Sequence, residues 1–184
     1  MMKQLCGATL TAAVLVFCAT ATRAQDTTHT GSADRMNSAG VPASDQHFMM
    51  KAAQGGMAEV QLGSLAKEHA SSQAVKDFGQ RMIDDHSKAG DELKALAAQK
   101  NVTLPSSLDA KDQAIIARLS KLNGSAFDRA YMRDMVADHK QDIAEFQRQA
   151  GTGQDPDVKN WAARTLPALQ EHLKMAETAL TSSR

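Results

Sequence analysis

The chain has 184 residues, enough for one domain with its own core plus an export segment and a linker. Its 21 Lys and Arg balance 21 Asp and Glu, so no basic excess exists to recruit a nucleic acid, and that class of partner is excluded. Only two cysteines are present, both near the N-terminus, which excludes a disulfide framework or a cysteine metal site in the body of the chain.

Residues 1–24 read as a secretory signal peptide: Lys3, an apolar run from Leu5 to Ala21, and small residues before a cut after Ala24. Cys6 and Cys18 fall inside this segment, and the bulky Phe17 before Cys18 argues against lipid attachment. The run is followed by Arg23, Gln25 and Asp26 and by no second hydrophobic segment, so no membrane span is expected after signal removal. The product is expected in the periplasm or outside the cell. Residues 25–43 are mostly Thr, Ser, Gly, Ala, Asp and Asn, the composition of a flexible linker.

The folded domain is expected over residues 44–182. A first helix runs from about Asp45 to Ala70, with Ser44 as N-cap and Phe48, Ala52, Gly55, Gly56, Leu62 and Ala66 at helical spacing. Ser71, Ser72 and Gln73 leave room only for a tight turn. A second helix follows from about Ala74 to Lys100, burying Val75, Phe78, Met82, Ile83, Leu93 and Leu96, and the two make an antiparallel hairpin. Between Asn101 and Gly124 a connector holds a short helix carried by Leu108, Ile115, Leu119 and Leu122. Ser106 with Asp109 three residues on resembles a capping box, and Asn123-Gly124 reads as a stop. The third long helix starts at Ser125, with Asp128 three residues on, and ends at Gly151. The fourth starts at Asp155 and Pro156 and reaches about Leu180, with a kink expected at Pro167.

The connector sets the topology. The second helix spans about 40 Å, and roughly 20 Å of helix plus about ten extended residues suffice to run back along it. Two hairpins joined by such a crossover give an all-α, ferritin-like four-helix bundle. A simple up-down bundle with a bulky loop is the alternative.

Six histidines are present, and the helical period turns three of them inward: His86 behind Val75, Gly79 and Met82, His139 behind Tyr131, Met132 and Met135, and His172 behind Thr165 and Leu169. On the first helix the polar intruder in the apolar stripe is Glu59. Counted from the hairpin turns at about 1.5 Å per residue, all four lie near mid-bundle. A carboxylate and three imidazoles suit a divalent transition metal such as Fe, Mn, Zn or Cu, with Asp142 placed to hold the second ring nitrogen of His139. The plainer reading makes these histidines partly buried residues bonded to neighbours. Met82, Met132, Met135 and Met175 offer a softer set suited to copper, or simply fill the core. Covalent haem is excluded because no Cys-x-x-Cys-His occurs.

Asp85, Asp138 and Glu171 each precede an inward histidine. Adjacent helical residues point about 100° apart, so these acids are expected at the boundary or surface. His69, near the first turn, reads as a helix-end residue, and Phe48, Phe127, Tyr131 and Trp161 read as core anchors. No Ser/His/Asp set, phosphate-cradling Gly loop or other catalytic signature is present.

The segments Phe78 to His86, Tyr131 to His139 and Thr165 to His172 together resemble the secreted bacterial family known as domain of unknown function 4142, whose members are expected to be ferritin-like bundles. The resemblance covers about Ser44 to Leu180 and implies an exported four-helix fold, with no established activity. Di-iron ferritin-like proteins use Glu-x-x-His pairs, whereas Ile83 precedes His86 by three and Leu169 precedes His172 by three, so ferroxidase chemistry is not carried over. The expected function is a binding or stress-protection module holding one metal ion through Glu59, His86, His139 and His172. The alternatives are a metal-dependent oxidase using the same centre and a structural or interaction bundle without metal. A homo-oligomer is compatible with any of the three.

Overall fold

The computed structural model describes residues 40–182, so the signal peptide and nearly all of the expected linker lie outside the described residues. Among these residues there are five helices and no strand: α1 (Ala43–His69), α2 (Gln73–Gln99), α3 (Ala110–Leu119), α4 (Gly124–Thr152) and α5 (Pro156–Ser182). None is long and apolar enough to cross a membrane.

Helices α1 and α2 pack along each other, as do α4 and α5. The two hairpins meet through α2 on α5 and α1 on α4, with α3 lying against α1 and α4. Two buried aspartates fix how the hairpins are joined. Asp45, in the first turn of α1, accepts hydrogen bonds from the backbone N–H groups of Gln154 (2.9 Å) and Asp155 (2.6 Å), in the α4/α5 turn. Asp128, near the start of α4, accepts from Ser71 N–H (3.1 Å), the Ser71 hydroxyl (2.6 Å) and Ser72 N–H (3.0 Å), in the α1/α2 turn. The start of each hairpin thus binds the turn of the other. Helices α1 and α4 therefore run antiparallel and α2 and α4 parallel, with the connector and α3 covering the length between them.

Several helix ends differ from the sequence expectation. Ser44 lies inside α1 and bonds its neighbour Asp45, while Pro42 stands at the N-cap with no side-chain bond. Asp109, not Ser106, caps α3 by accepting from Asp112 N–H at 2.8 Å. Asn123-Gly124 opens α4 instead of stopping α3, which ends at Leu119, and Gly124 takes φ +58° there, a conformation glycine adopts without strain. Helix α2 closes on Asn101 at φ 55°, with Val102 N–H on Ala97 C=O and Asn101 N–H on Ala98 C=O, a Schellman-type stop. At α5 the expected start holds: Asp155 accepts from Asp157 and Val158 N–H, and the helix runs on through Pro167.

The buried apolar residues form two clusters. One, at the α1/α2-turn end, contains Phe78, Met82, Phe127, Tyr131, Met132 and Met135. The other, at the opposite end, contains Phe48, Leu93, Phe146, Trp161 and Leu169. Along every long helix a polar residue separates the two: Glu59 on α1, His86 on α2, His139 on α4 and His172 on α5, all buried. Met82, Met132 and Met135 lie in the first cluster, where their flexible thioethers fill space between aromatic rings, and Met49 lies in the second.

Helices α1 and α2 touch at their backbones. A Cβ on Gly63 would stand 2.5 Å from the Gly79 carbonyl oxygen, and one on Gly79 would stand 2.7 Å from the Gly63 oxygen. Gly63→Ala is expected to push the helices apart and cost about 2 kcal/mol. The urea midpoint, read by far-UV circular dichroism, should fall accordingly. An unchanged midpoint would show that the contact can relax.

Candidate metal centre

The four polar core residues come from four different helices and converge. The ring centroids of His86, His139 and His172 lie 6.0 Å (His86–His139), 5.3 Å (His86–His172) and 5.4 Å (His139–His172) apart. One ring nitrogen from each lies within 4.8 Å of the other two. The rings are 8%, 0% and 1% exposed, so the site is dry on the side facing the core.

Each ring is held at one nitrogen. His139 Nδ1 lies 3.0 Å from the Met135 carbonyl oxygen; a carbonyl only accepts, so the proton sits on Nδ1 and Nε2 carries the lone pair. His172 Nε2 lies 2.7 Å from Asp85 Oδ2. His86 Nδ1 lies 2.8 Å from Glu59 Oε2. The opposite nitrogens, His86 Nε2, His139 Nε2 and His172 Nδ1, are buried without a hydrogen-bond partner. Glu59 Oε1 is likewise without one, 3.4 Å from His139 Nε2.

Burial governs the charges. It pushes His86 down to about 4 against the pull of Asp85 and Asp138, and it pushes His139 and His172 down as well. The imidazoles are therefore neutral at neutral pH, the form that offers a lone pair. Burial also raises Glu59 well above the usual carboxylate range, opposed by His139 and reinforced by Asp138 and Asp112. Asp85 moves the other way: the bonds from His172 and Arg81 outweigh its burial and keep it ionised.

Two expectations are corrected. Asp142 does not hold His139, because a histidine within a helix can reach the carbonyl one turn back on its own strand of the ladder, here Met135. Asp85 is not a detached surface charge: it is half-buried and bonds His172 across the α2–α5 contact, bracketed on the outside by Arg81 at 2.5 Å. Pointing about 100° from His86, it leaves the core stripe but faces the neighbouring helix. His69 lies at the end of α1 as expected, with Nδ1 2.8 Å from the Leu122 carbonyl oxygen.

A cavity of about 570 Å³ opens beside His86, lined by residues of all five helices and the connector. Gly55 and Gly56 make its α1 wall. A Cβ on Gly55 would meet nothing within 4 Å, and one on Gly56 would meet only His86 Nδ1, at 4.0 Å. These two glycines leave His86 and Glu59 within reach of the cavity.

The pattern of the family described as "Domain of unknown function (DUF4142)" matches residues 30–179. The chain belongs to the DUF4142 family. No curated protein matches this DUF4142 chain. Two solved structures share its fold. One is titled "Crystal structure of DUF305 fragment from Deinococcus radiodurans", with TM-score 0.69 and 14% identity over 78% of this chain and 99% of that one. The other is titled "CopM in the Cu(I)-bound form", with TM-score 0.62 and 17% identity over 75% of this chain and 96% of that one. At these identities the likeness speaks to the helical fold.

Proposed function

We propose that this DUF4142 domain is an exported, ferritin-like bundle that holds one transition-metal ion in its core, as a metal-binding or stress-protection module. The ion sits on His86, His139 and His172, with Glu59, Asp85 and the Met135 carbonyl fixing the rings from behind. Two observations carry this reading: one ring nitrogen from each of three buried imidazoles lies within 4.8 Å of the other two, and each of these rings has one nitrogen without a hydrogen-bond partner. A buried polar atom without a partner costs about 1–3 kcal/mol, and one on each of three neighbouring rings is best explained by a shared ligand. An oxygen acceptor on the far nitrogen of a metal-bound histidine is the usual supporting arrangement.

The geometry is close to that of a filled site. With metal–nitrogen bonds of 2.0–2.1 Å, a tetrahedral shell places its nitrogens about 3.3 Å apart, so the rings need to draw in by at most about 1.5 Å. An all-imidazole set without thiol or extra carboxylate suits zinc and copper better than magnesium or calcium. The copper(I) in the CopM structure makes copper the first ion to try.

The test is elemental analysis of the purified protein after separate exposure to copper, zinc, iron and manganese and extensive dialysis. Close to one copper or zinc per chain is the expected result. No retained copper, zinc or iron would remove the core ion and leave a bundle with a polar layer.

A further inference from the structure

Glu59 also belongs to a second group of donors. An oxygen of Glu59 and one each from Asp138 and Asp142 lie within 4.8 Å of one another. Glu59 is 1% exposed and its Oε1 has no hydrogen-bond partner, while Asp138 and Asp142 are half-buried and make no hydrogen bond or close ion pair among the described residues. All three line the 570 Å³ cavity, whose wall holds seven acidic residues against three lysines. We propose that Glu59, Asp138 and Asp142 form a second cation site, built of oxygen donors, that takes a hard divalent ion such as manganese from solvent and abuts the histidine site across Glu59.

Three carboxyl groups so close, with no donor from elsewhere between them, must share protons or a cation to avoid mutual repulsion. Lys111, at the start of α3, acts on both aspartates from a distance but bonds neither. A divalent ion relieves this repulsion. Carboxylates and water suit manganese, magnesium and calcium, whereas imidazole suits zinc and copper, so the two groups of donors sort ions by hardness. The cavity has room for the waters that complete the shell of such an ion, at about 30 Å³ each. The nearly complete burial of Glu59 is what separates this group from an ordinary acidic surface patch. The inference does not require an ion on the histidines.

Manganese(II) is the probe. Chelator-treated protein is titrated with manganese(II), and the free ion is followed by electron paramagnetic resonance. Wild type and His139→Ala are both expected to take up one manganese per chain, because the second site does not use that imidazole. The double variant Asp138→Asn with Asp142→Asn is expected to bind at least tenfold more weakly while keeping the copper or zinc of the histidine site. Manganese should also raise the melting temperature of wild type and leave that of the double variant unchanged. The proposal is overturned if wild type takes up no manganese at millimolar concentration, or if the double variant binds it as tightly as wild type. Should the double variant not fold, His139→Ala decides alone: one bound manganese supports the site, and none overturns it. Failure of the histidine reading is seen separately, as wild type that keeps manganese but neither copper nor zinc.

Discussion

Alanine at His139 should weaken retention of the core ion at least a hundredfold and leave the bundle helical. Three buried imidazole nitrogens converge, and His139 supplies the one whose tautomer is fixed, since the Met135 carbonyl holds the proton on the other side. Removing it leaves two nitrogen donors, too few to hold zinc or copper against dialysis. A milder variant calibrates the result. Asp85→Asn keeps an oxygen acceptor for His172 Nε2 but removes the charge, and a supporting partner of this kind is worth about tenfold to a hundredfold in affinity. Competition against a chromophoric chelator should therefore rank wild type above Asp85→Asn and Asp85→Asn above His139→Ala. Equal affinity in all three would mean that the ion sits elsewhere.

The second large effect concerns stability. Asp128→Ala should cost about 3 kcal/mol, because it strands the N–H groups of Ser71 and Ser72 and the Ser71 hydroxyl where α2 begins without a side-chain cap of its own. Asp45→Ala removes two such bonds from the α4/α5 turn and should cost about 2 kcal/mol. Burial alone would raise the Asp45 pKa, but the hydrogen bonds it accepts, led by that from Asp155 N–H, hold it below the ordinary range. The folded-state value is thus lower than the unfolded one. Its contribution is complete above about pH 4, the unfolded value, and disappears as pH falls through the lowered folded value. Denaturant melts from pH 7 down to pH 2.5 should show wild type losing its advantage over Asp45→Asn only in the acid limb. A constant difference across that range would contradict this assignment.

How much of this was legible in the sequence differs by level. The long helices were readable because their apolar stripes repeat over 27 to 29 residues each, and boundaries shifted by only a residue or two. The caps were less so. Ser44 and Ser106 have the right chemistry, but α1 begins one residue before Ser44 and leaves it inside the helix, and Asp109 rather than Ser106 stands at the point where α3 begins. The inward placement of Glu59, His86, His139 and His172 followed from the helical period. What the period cannot give is contact between helices: Asp85 on His172, Asp128 on the first turn and Asp45 on the second join residues far apart in the chain. The acidic group of Glu59, Asp138 and Asp142 escaped for the same reason, although Asp138 and Asp142, one turn apart on α4, share a face.

The reciprocal bonds of Asp45 and Asp128 have a counterpart in the text of the chain. Asp45, Phe48 and Met49 stand in the same relation as Asp128, Tyr131 and Met132, each set opening the first helix of its hairpin. Continuing the alignment brings Glu59 onto Asp142 and Gly56 onto His139. The second helices match as well, Asp85-His86 against Glu171-His172. The two hairpins thus place matching residues at matching points of their helices. An exact duplicate would carry a fourth imidazole at residue 56. Glycine stands there instead, in the wall of the cavity that reaches His86.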